Sequence, residues 1–298
     1  MQPSRTAWWL GMPHTQAGGT SESALLAHAG DLRWRDLCAA TGVAASEQRD
    51  AEGHRVYASF YYVEIGGFPP SGLAAFGPDD RLEVVSTLSR FGRSMLDGVH
   101  RLYPAGALPP ALPEPLPAAP HVRLSNVFVR EASGPDDLRV TTPVTGDLEA
   151  IPPSAAEPDS YRLIREARAH GRFFDDPAGA TPLWAGGHRV VYRIDPDRDI
   201  NGVGLVYFAN YVVFADVAER RALEEAGGLA PEALDGRRTL RRQIGFYGNA
   251  QRHDELLVDV HAARLPESPR HLLLHHHIRR RTDDRLIAVS SVEKILPA

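Results

Sequence analysis

The chain has 298 residues, 43% of them hydrophobic and 24% charged, with a formal net charge of −5. That profile fits one large or two ordinary globular domains, and the acidic balance argues against a nucleic-acid binder, which would usually be basic. A single cysteine, Cys38, excludes an internal disulfide and fits a reducing cytoplasm, and no run of about 18 apolar residues exists to span a membrane.

The opening MQPSRTAWWLGMP carries one arginine and a short apolar stretch broken by Gly11 and Pro13, unlike a signal peptide. Trp8 to Met12 reads as a first strand. Ser21 to about Thr41 reads as a helix, because Ser21 can cap it, Glu22 suits the first turn, and Leu25, Ala29 and Leu32 share a face. Strands are expected at about 54–66, 82–95, 121–131 and 137–142. The segment YPAGALPPALPEPLPAAP, with seven prolines between 104 and 120, reads as an extended loop. Residues 144–187 read as a linker with one short helix near 160–170.

In the second half, HRVVYRID at 188–195 alternates around Val190 and Tyr192 as a strand. A long helix follows in NGVGLVYFANYVVFADVAERRALEEAGG. Phe208, Tyr211, Val212, Ala215 and Ala222 fall on one face, and Asp216, Glu219, Arg220, Glu224 and Glu225 on the one expected to be exposed. Gly227 and Gly228 supply the stop. Strand-like runs at 237–247, 254–265, 271–281 and 286–296, separated by Asn249, by Pro266 and Pro269, and by Asp283 and Asp284, read as an antiparallel meander. Strand, long helix and four strands therefore occur twice. The expected fold is α+β, a double hotdog with two antiparallel sheets each wrapped round a long central helix. Its units are residues 1–143 and 188–298, joined by 144–187. Two paired sheets would hide edge strands that are otherwise exposed.

Three segments can carry chemistry. Asn201-Gly-Val-Gly-Leu-Val-Tyr-Phe-Ala-Asn-Tyr211 resembles the helix entry of hotdog acyl-CoA thioesterases, where an acidic residue and a glycine-rich turn lead into the central helix. Free N–H groups at such a start suit a developing oxyanion. The thioesterase carboxylate falls at Asn201, and an amide cannot act as general base or nucleophile, which counts against hydrolysis here. Asp197 and Asp199 are the nearest substitutes; otherwise this half is a scaffold. The segment Met12 to Ser23, MPHTQAGGTSES, is the equivalent entry of the first half. Gly18 and Gly19 let backbone approach a ligand, and His14 is either an acid/base or a structural residue. The spacing His14-x-x-x-Gly18 also resembles hotdog dehydratases, which pair a histidine with an aspartate of the other unit, here Asp216, although the later proline of that motif is missing. In ASFYYVEIGG, residues 58–67, the period of two puts Tyr61 and Tyr62 on opposite faces, one of them pointing inward over the helix or into a pocket.

Taken together, MPHTQAGGTSES, FYYVEIGG and RLEVVSTLSRFGRSMLDGVHRLY resemble the leinamycin-type bifunctional acyltransferase/decarboxylases over most of the chain. The resemblance implies conversion of methylmalonyl-CoA to a propionyl group on the phosphopantetheine of an acyl carrier protein, in polyketide biosynthesis, without cofactor or metal. It places acceptance of the acyl group on Tyr62. Amides of Gly18, Gly19, Thr20 and Ser21 would then stabilise the enolate oxygen. A phenol with an ordinary pKa of about 10 needs activation for that role; the alternative is a core aromatic or a hydrogen-bond donor.

The clusters Arg237, Arg238, Arg241, Arg242 and Arg279, Arg280, Arg281 are either solvated strand ends or a phosphate site. His275, His276 and His277 alternate faces of a strand and cannot chelate one metal. Cys38 reads as a buried small residue, and Ser94 sits on a strand that could line the pocket. The competing functions are a thioesterase, a dehydratase using His14 and Asp216, and a non-catalytic carrier-protein binding module. The sequence leaves the oligomer, a homodimer included, open.

Overall fold

The structure is a computed structural model and describes residues 2–134, 137–266 and 268–297. The first unit contains β1 (Ser4–Trp9), α1 (Glu22–Thr41), β2 (Tyr57–Gly66), β3 (Arg81–Ser86), β4 (Met95–Pro104) and β5 (His121–Glu131). A connecting helix α2 (Asp159–His170) follows. The second unit contains β6 (His188–Arg193), α3 (Tyr211–Glu225), β7 (Arg238–Phe246), β8 (Glu255–Arg264), β9 (His271–Arg280) and β10 (Leu286–Ile295). The strands pair antiparallel in the order β1-β3-β4-β5-β2-β7-β10-β9-β8-β6. Each unit thus repeats one order, first-third-fourth-fifth-second strand, and the two second strands meet at the seam, where Tyr62 pairs with Gly245 and Ile65 with Arg242. This is the double hotdog. The pairing removes one open edge from each sheet.

Each central helix sits in its own unit's core. Ser21 caps α1 by accepting from the Ala24 amide at 3.4 Å, and Gly42 ends it at φ 69°, donating to Cys38 O. Leu25, Leu26, Ala29 and Leu32 pack against Val63, Ile65, Leu124 and Ile244, so the first core reaches across the seam to β7. Tyr211, Phe214, Ala218 and Leu223 of α3 pack against Leu256, Val258, Leu274 and Val292. Burial of each of the leucine, isoleucine, valine and phenylalanine side chains contributes roughly 1.5–3 kcal/mol. No described helix is long and apolar enough to cross a membrane.

Four expectations change. The run 82–95 is not one strand. It breaks after Ser86, forms a short strand Ser89–Phe91 and turns at Gly92 (φ 62°) into β4, a strand the alternation alone did not reveal. Ser94 lies in that turn, and its carbonyl accepts from Phe128 N. The four last strands are not a simple meander, because β7 pairs with β10 and β2 rather than β8. The first strand is Ser4–Trp9, and Met12 belongs to a short turn of helix. Finally, Glu219 of α3 is fully buried rather than exposed.

Candidate functional site

At the second helix entry, Ile200 bridges to Val206 and closes the loop between them. Asn201 Oδ1 accepts from the Val203 and Leu205 amides, at 3.1 and 3.0 Å, so the side chain organises the loop from within. Asp199 lies fully buried behind it and accepts from Tyr192 Oη (3.0 Å), the Asp195 amide (2.9 Å) and Arg198 Nε (2.9 Å). Burial opposes its charge, but Arg198 and the Asp195 amide outweigh this and hold the carboxyl below its ordinary range. Asp197 is exposed. Neither aspartate lines the adjoining cavity, so neither stands in for the missing thioesterase carboxylate.

That cavity has a volume of about 480 Å³ and lies between the Asn201–Leu205 loop, the start of α3 and strand β2 of the other unit. The Phe60 ring stacks on Phe208 at 3.9 Å and joins the two units in its wall. Tyr57, Tyr61, Tyr207, Tyr211 and Tyr247 supply its phenols. Among the described residues that line it, the charged one is Arg285; no Asp, Glu, His, Lys or Cys is present.

Tyr61 and Tyr62 do not fall on opposite faces. The β2–β5 register shifts between Phe60 and Tyr62, so one extra residue is accommodated there. Phe60 and Val63 pack inward, while Tyr61 and Tyr62 both pack against Ile164 of α2. Tyr61 still reaches the cavity, with its hydroxyl 3.2 Å from Ser160 Oγ. Tyr62 is fully buried and does not line the cavity. Its hydroxyl donates to Glu64 Oε2 at 2.9 Å, and His121 Nε2 stands 3.6 Å from Glu64 Oε1. Burial and the Glu64 charge push the Tyr62 phenol well above its ordinary pKa. Burial resists ionisation of Glu64, but the nearby His121 imidazole and the bond from Tyr62 prevail and lower it. The proton therefore rests on the phenol. Beside them Asp97 holds Arg123 at 3.0 Å and accepts from Ser125 Oγ at 2.5 Å.

The first helix entry is built differently. A Cβ at Gly18 would collide with the Arg237 carbonyl, and one at Gly19 (φ 110°) with Leu73 and Ala74. Both glycines are thus used for close approach within the chain. Thr20 is buried and donates to Phe76 O at 3.1 Å, while the Ser21 amide is taken by His14 O at 2.9 Å. His14 turns away: its Nδ1 accepts from the Gly11 amide at 2.9 Å, and its ring lies edge-on to Trp8 at 5.5 Å.

Asp216 does reach this entry, beside a recess of about 350 Å³ lined also by Gly18, Ser21 and Glu22, but His14 does not. Asp216 Oδ1 is gripped by Arg242 Nη2 (2.6 Å) and Lys294 Nζ (2.8 Å). Burial opposes its charge, yet Lys294 and Arg242 drive the carboxyl well below its ordinary range. An aspartate so held does not take up a proton, so the structure assembles no His14–Asp216 dehydratase pair. Arg242 also bonds Glu22, Lys294 bonds Glu219 at 2.9 Å, and Arg237 bonds Glu219 at 2.8 Å. The arginine clusters are thus largely committed to carboxylates: Arg241 to Glu293, Arg279 to Asp284, Arg280 to Asp283 and Arg281 to Glu255. His276 lies buried against the same ionic cluster, 3.8 Å from Glu219.

The profile of the LnmK N-terminal hot dog fold domain matches residues 13–175, more than half of the chain. The chain belongs to this family. The matched stretch contains the first helix entry, both tyrosines of β2 and α2. A search of curated proteins returns no match. Two similar solved structures are an acyl-ACP thioesterase from Bacteroides thetaiotaomicron and the 12:0-ACP thioesterase from Umbellularia californica. The first has TM-score 0.59 and 11% identity over 99% of this chain and 98% of that one. The second has TM-score 0.60 and 10% identity over 99% and 94%. At such identities the likeness carries the fold alone.

Sequence reasoning about this LnmK-type chain passed over Glu64, His121 and the buried ionic cluster. Glu64 had a signal, since two residues beyond Tyr62 on a strand is the same face. The cluster, assembled from Glu22, Asp216, Glu219, Arg242 and Lys294, had none.

Proposed function

We propose that the chain transfers the acyl group of methylmalonyl-CoA, with loss of CO₂, to the phosphopantetheine thiol of an acyl carrier protein. The carrying observation is the 480 Å³ cavity at the second helix entry, which is mostly apolar, has phenols in its wall and, among the described residues that line it, offers no carboxylate or histidine to activate water. A thioester held there is shielded from hydrolysis and can react with an incoming thiol. Its malonyl carboxylate would sit without an acidic or basic partner deep in the cavity. The C–C bond pair passes into the enolate as CO₂ leaves, and one proton is then taken up at Cα. The carrier thiol next adds to the carbonyl and CoA leaves as its thiol. Burial keeps the Tyr61 phenol protonated, with a pKa raised above the ordinary value, so it can donate to the developing oxyanion from the wall.

A second reading gives Tyr62 the covalent role that the family resemblance implies. The supporting observation is the line Tyr62–Glu64–His121, with a base in hydrogen-bond reach of the hydroxyl and a third group behind the base. Against it stands the position of the proton, which burial and Glu64 keep on the phenol. In the first reading Tyr62 is a positioning residue behind Tyr61. The test is intact-mass analysis of a phosphopantetheinylated carrier protein after incubation with methylmalonyl-CoA. A propionyl adduct is expected with the wild type, lost in Tyr61→Phe and reduced in Tyr62→Phe. Complete loss in both Tyr62→Phe and Glu64→Gln, with Tyr61→Phe active, would transfer the chemistry to Tyr62. Free CoA with an unmodified carrier would refute acyl transfer.

A further inference from the structure

Taking the seam cavity as the acyl-thioester site just proposed, we propose that Arg285 binds the phosphate at the far end of the pantetheine arm. A pantetheine thioester is apolar or neutral at its reacting end and anionic at the other. If the acyl group enters an uncharged interior, the phosphate must remain at the opening. There the cavity presents one charged side chain among the described residues that line it, the exposed Arg285.

Its setting suits the task. The main chain of Arg285 is fixed, its amide donating to Asp283 Oδ1 at 3.2 Å and its carbonyl accepting from Arg280 N at 2.9 Å. The side chain lies along Gly248, where an added Cβ would stand 3.3 Å from the Arg285 Nε, so the missing side chain makes room for the guanidinium. The preceding arginines are occupied: Arg279 by Asp284, Arg280 by Asp283 and Arg281 by Glu255. Asp283 is thereby already engaged, its carboxyl held down to about 2 chiefly by the Arg280 bonds, with the Arg285 amide and the charges of Arg280 and Arg285 adding to them. The Arg285 guanidinium makes no hydrogen bond or ion pair within the described residues, and its planar fork matches two phosphate oxygens. The phosphate-binding expectation for arginine thus passes from the two clusters to the residue just beyond the second, across a turn.

The test is calorimetric titration of the full chain with pantetheine, 4′-phosphopantetheine and CoA, for the wild type, Arg285→Gln and Arg285→Lys. No hydrogen bond is lost in either variant, and thermal melts check that both fold. The wild type is expected to bind phosphopantetheine about fivefold more tightly than pantetheine, the scale of one exposed ion pair, with the increment shrinking as salt rises. Arg285→Gln should abolish the increment for phosphopantetheine and CoA alike and leave pantetheine unchanged; Arg285→Lys should keep part of it. Equal binding of phosphopantetheine to the wild type and Arg285→Gln would overturn the assignment while leaving the cavity reading intact, provided pantetheine binds. A loss confined to CoA would also overturn it, since the nucleotide and not the 4′-phosphate would then be the group held. No binding of any of the three to the wild type would overturn the assignment and the cavity reading together.

Discussion

Replacing Arg242 by methionine tests whether the buried ionic cluster holds the two units together. Arg242 is fully buried on the seam strand β7, directly across from Ile65. Its guanidinium joins Glu22 at the start of α1 to Asp216 in the middle of α3 and also reaches Ser290 Oγ at 3.3 Å. Methionine fills most of the volume but leaves Glu22 with only the Thr239 hydroxyl and Asp216 with only Lys294 among the partners described. Deleting one member of a buried ion pair costs about 3–5 kcal/mol, a large share of the roughly 5–15 kcal/mol that holds a typical domain folded. Urea unfolding followed by circular dichroism should move to a lower midpoint with little change in slope. Adding Glu22→Gln removes one stranded carboxylate and should recover part of the loss, giving a coupling energy above about 1 kcal/mol in the double-mutant cycle. A single-variant loss below about 1 kcal/mol would refute the reasoning, because it would mean that water already screens the cluster.

Three further outcomes are expected. Stability should be full above about pH 7 and fall as the pH drops from 6.5 toward 5. Burial holds His100 and His276 neutral well below the ordinary value of 6.5, and His28 down to about 4, while the unfolded chain takes up the protons. Together they give a slope approaching about 4 kcal/mol per pH unit, and a flat profile in chemical denaturation over that range would contradict it. Asn201→Asp keeps an acceptor for the Val203 and Leu205 amides, so the fold should survive, but it restores a carboxylate beside the cavity. Carrier-independent release of CoA should rise by about 10²-fold, measured with a thiol reagent, and no rise would mean that the residue at 201 does not limit hydrolysis at this entry. Gly18→Ala should lower the melting temperature, since its Cβ meets a backbone carbonyl that has no rotamer to change; overpacking of this kind costs about 1–3 kcal/mol.

Much of the second unit was legible because its strands are long, β-branched and separated by turn residues. The expected runs 271–281 and 286–296 overlie His271–Arg280 and Leu286–Ile295. Helix α1 was legible from its cap and first turn. Strand β4 was not, because it begins three residues after the Gly92 turn and its apolar residues, Leu96, Val99 and Leu102, follow no strict alternation. The facing of Tyr61 and Tyr62 was misread for a related reason. A period of two assumes an unbroken ladder, and the bulge before Tyr62 adds a residue. The seam cavity draws on residues from Trp34 to Arg285, and the ionic cluster pairs residues more than 200 positions apart. Such constellations exist only after the two sheets have joined, so local pattern carries no trace of them. The first entry illustrates the converse: Gly18, Gly19, Thr20 and Ser21 look like a ligand cradle in the sequence, and each is engaged by the chain's own backbone or caps its helix.

The head-to-head meeting of β2 and β7 within one polypeptide has a further consequence. A homodimer of single hotdog units is bound by symmetry, since any change made at one helix entry is made at both. Covalent duplication breaks that bond. In this chain one entry is packed with opposed charges and the other opens onto a mostly apolar cavity whose charged residue, among those described, is Arg285, so the two have parted company in chemistry while sharing a single sheet. A substitution such as Asn201, which a symmetric pair would have to suffer twice, is here confined to one of two inequivalent sites, and the load of holding the molecule together can rest on the other.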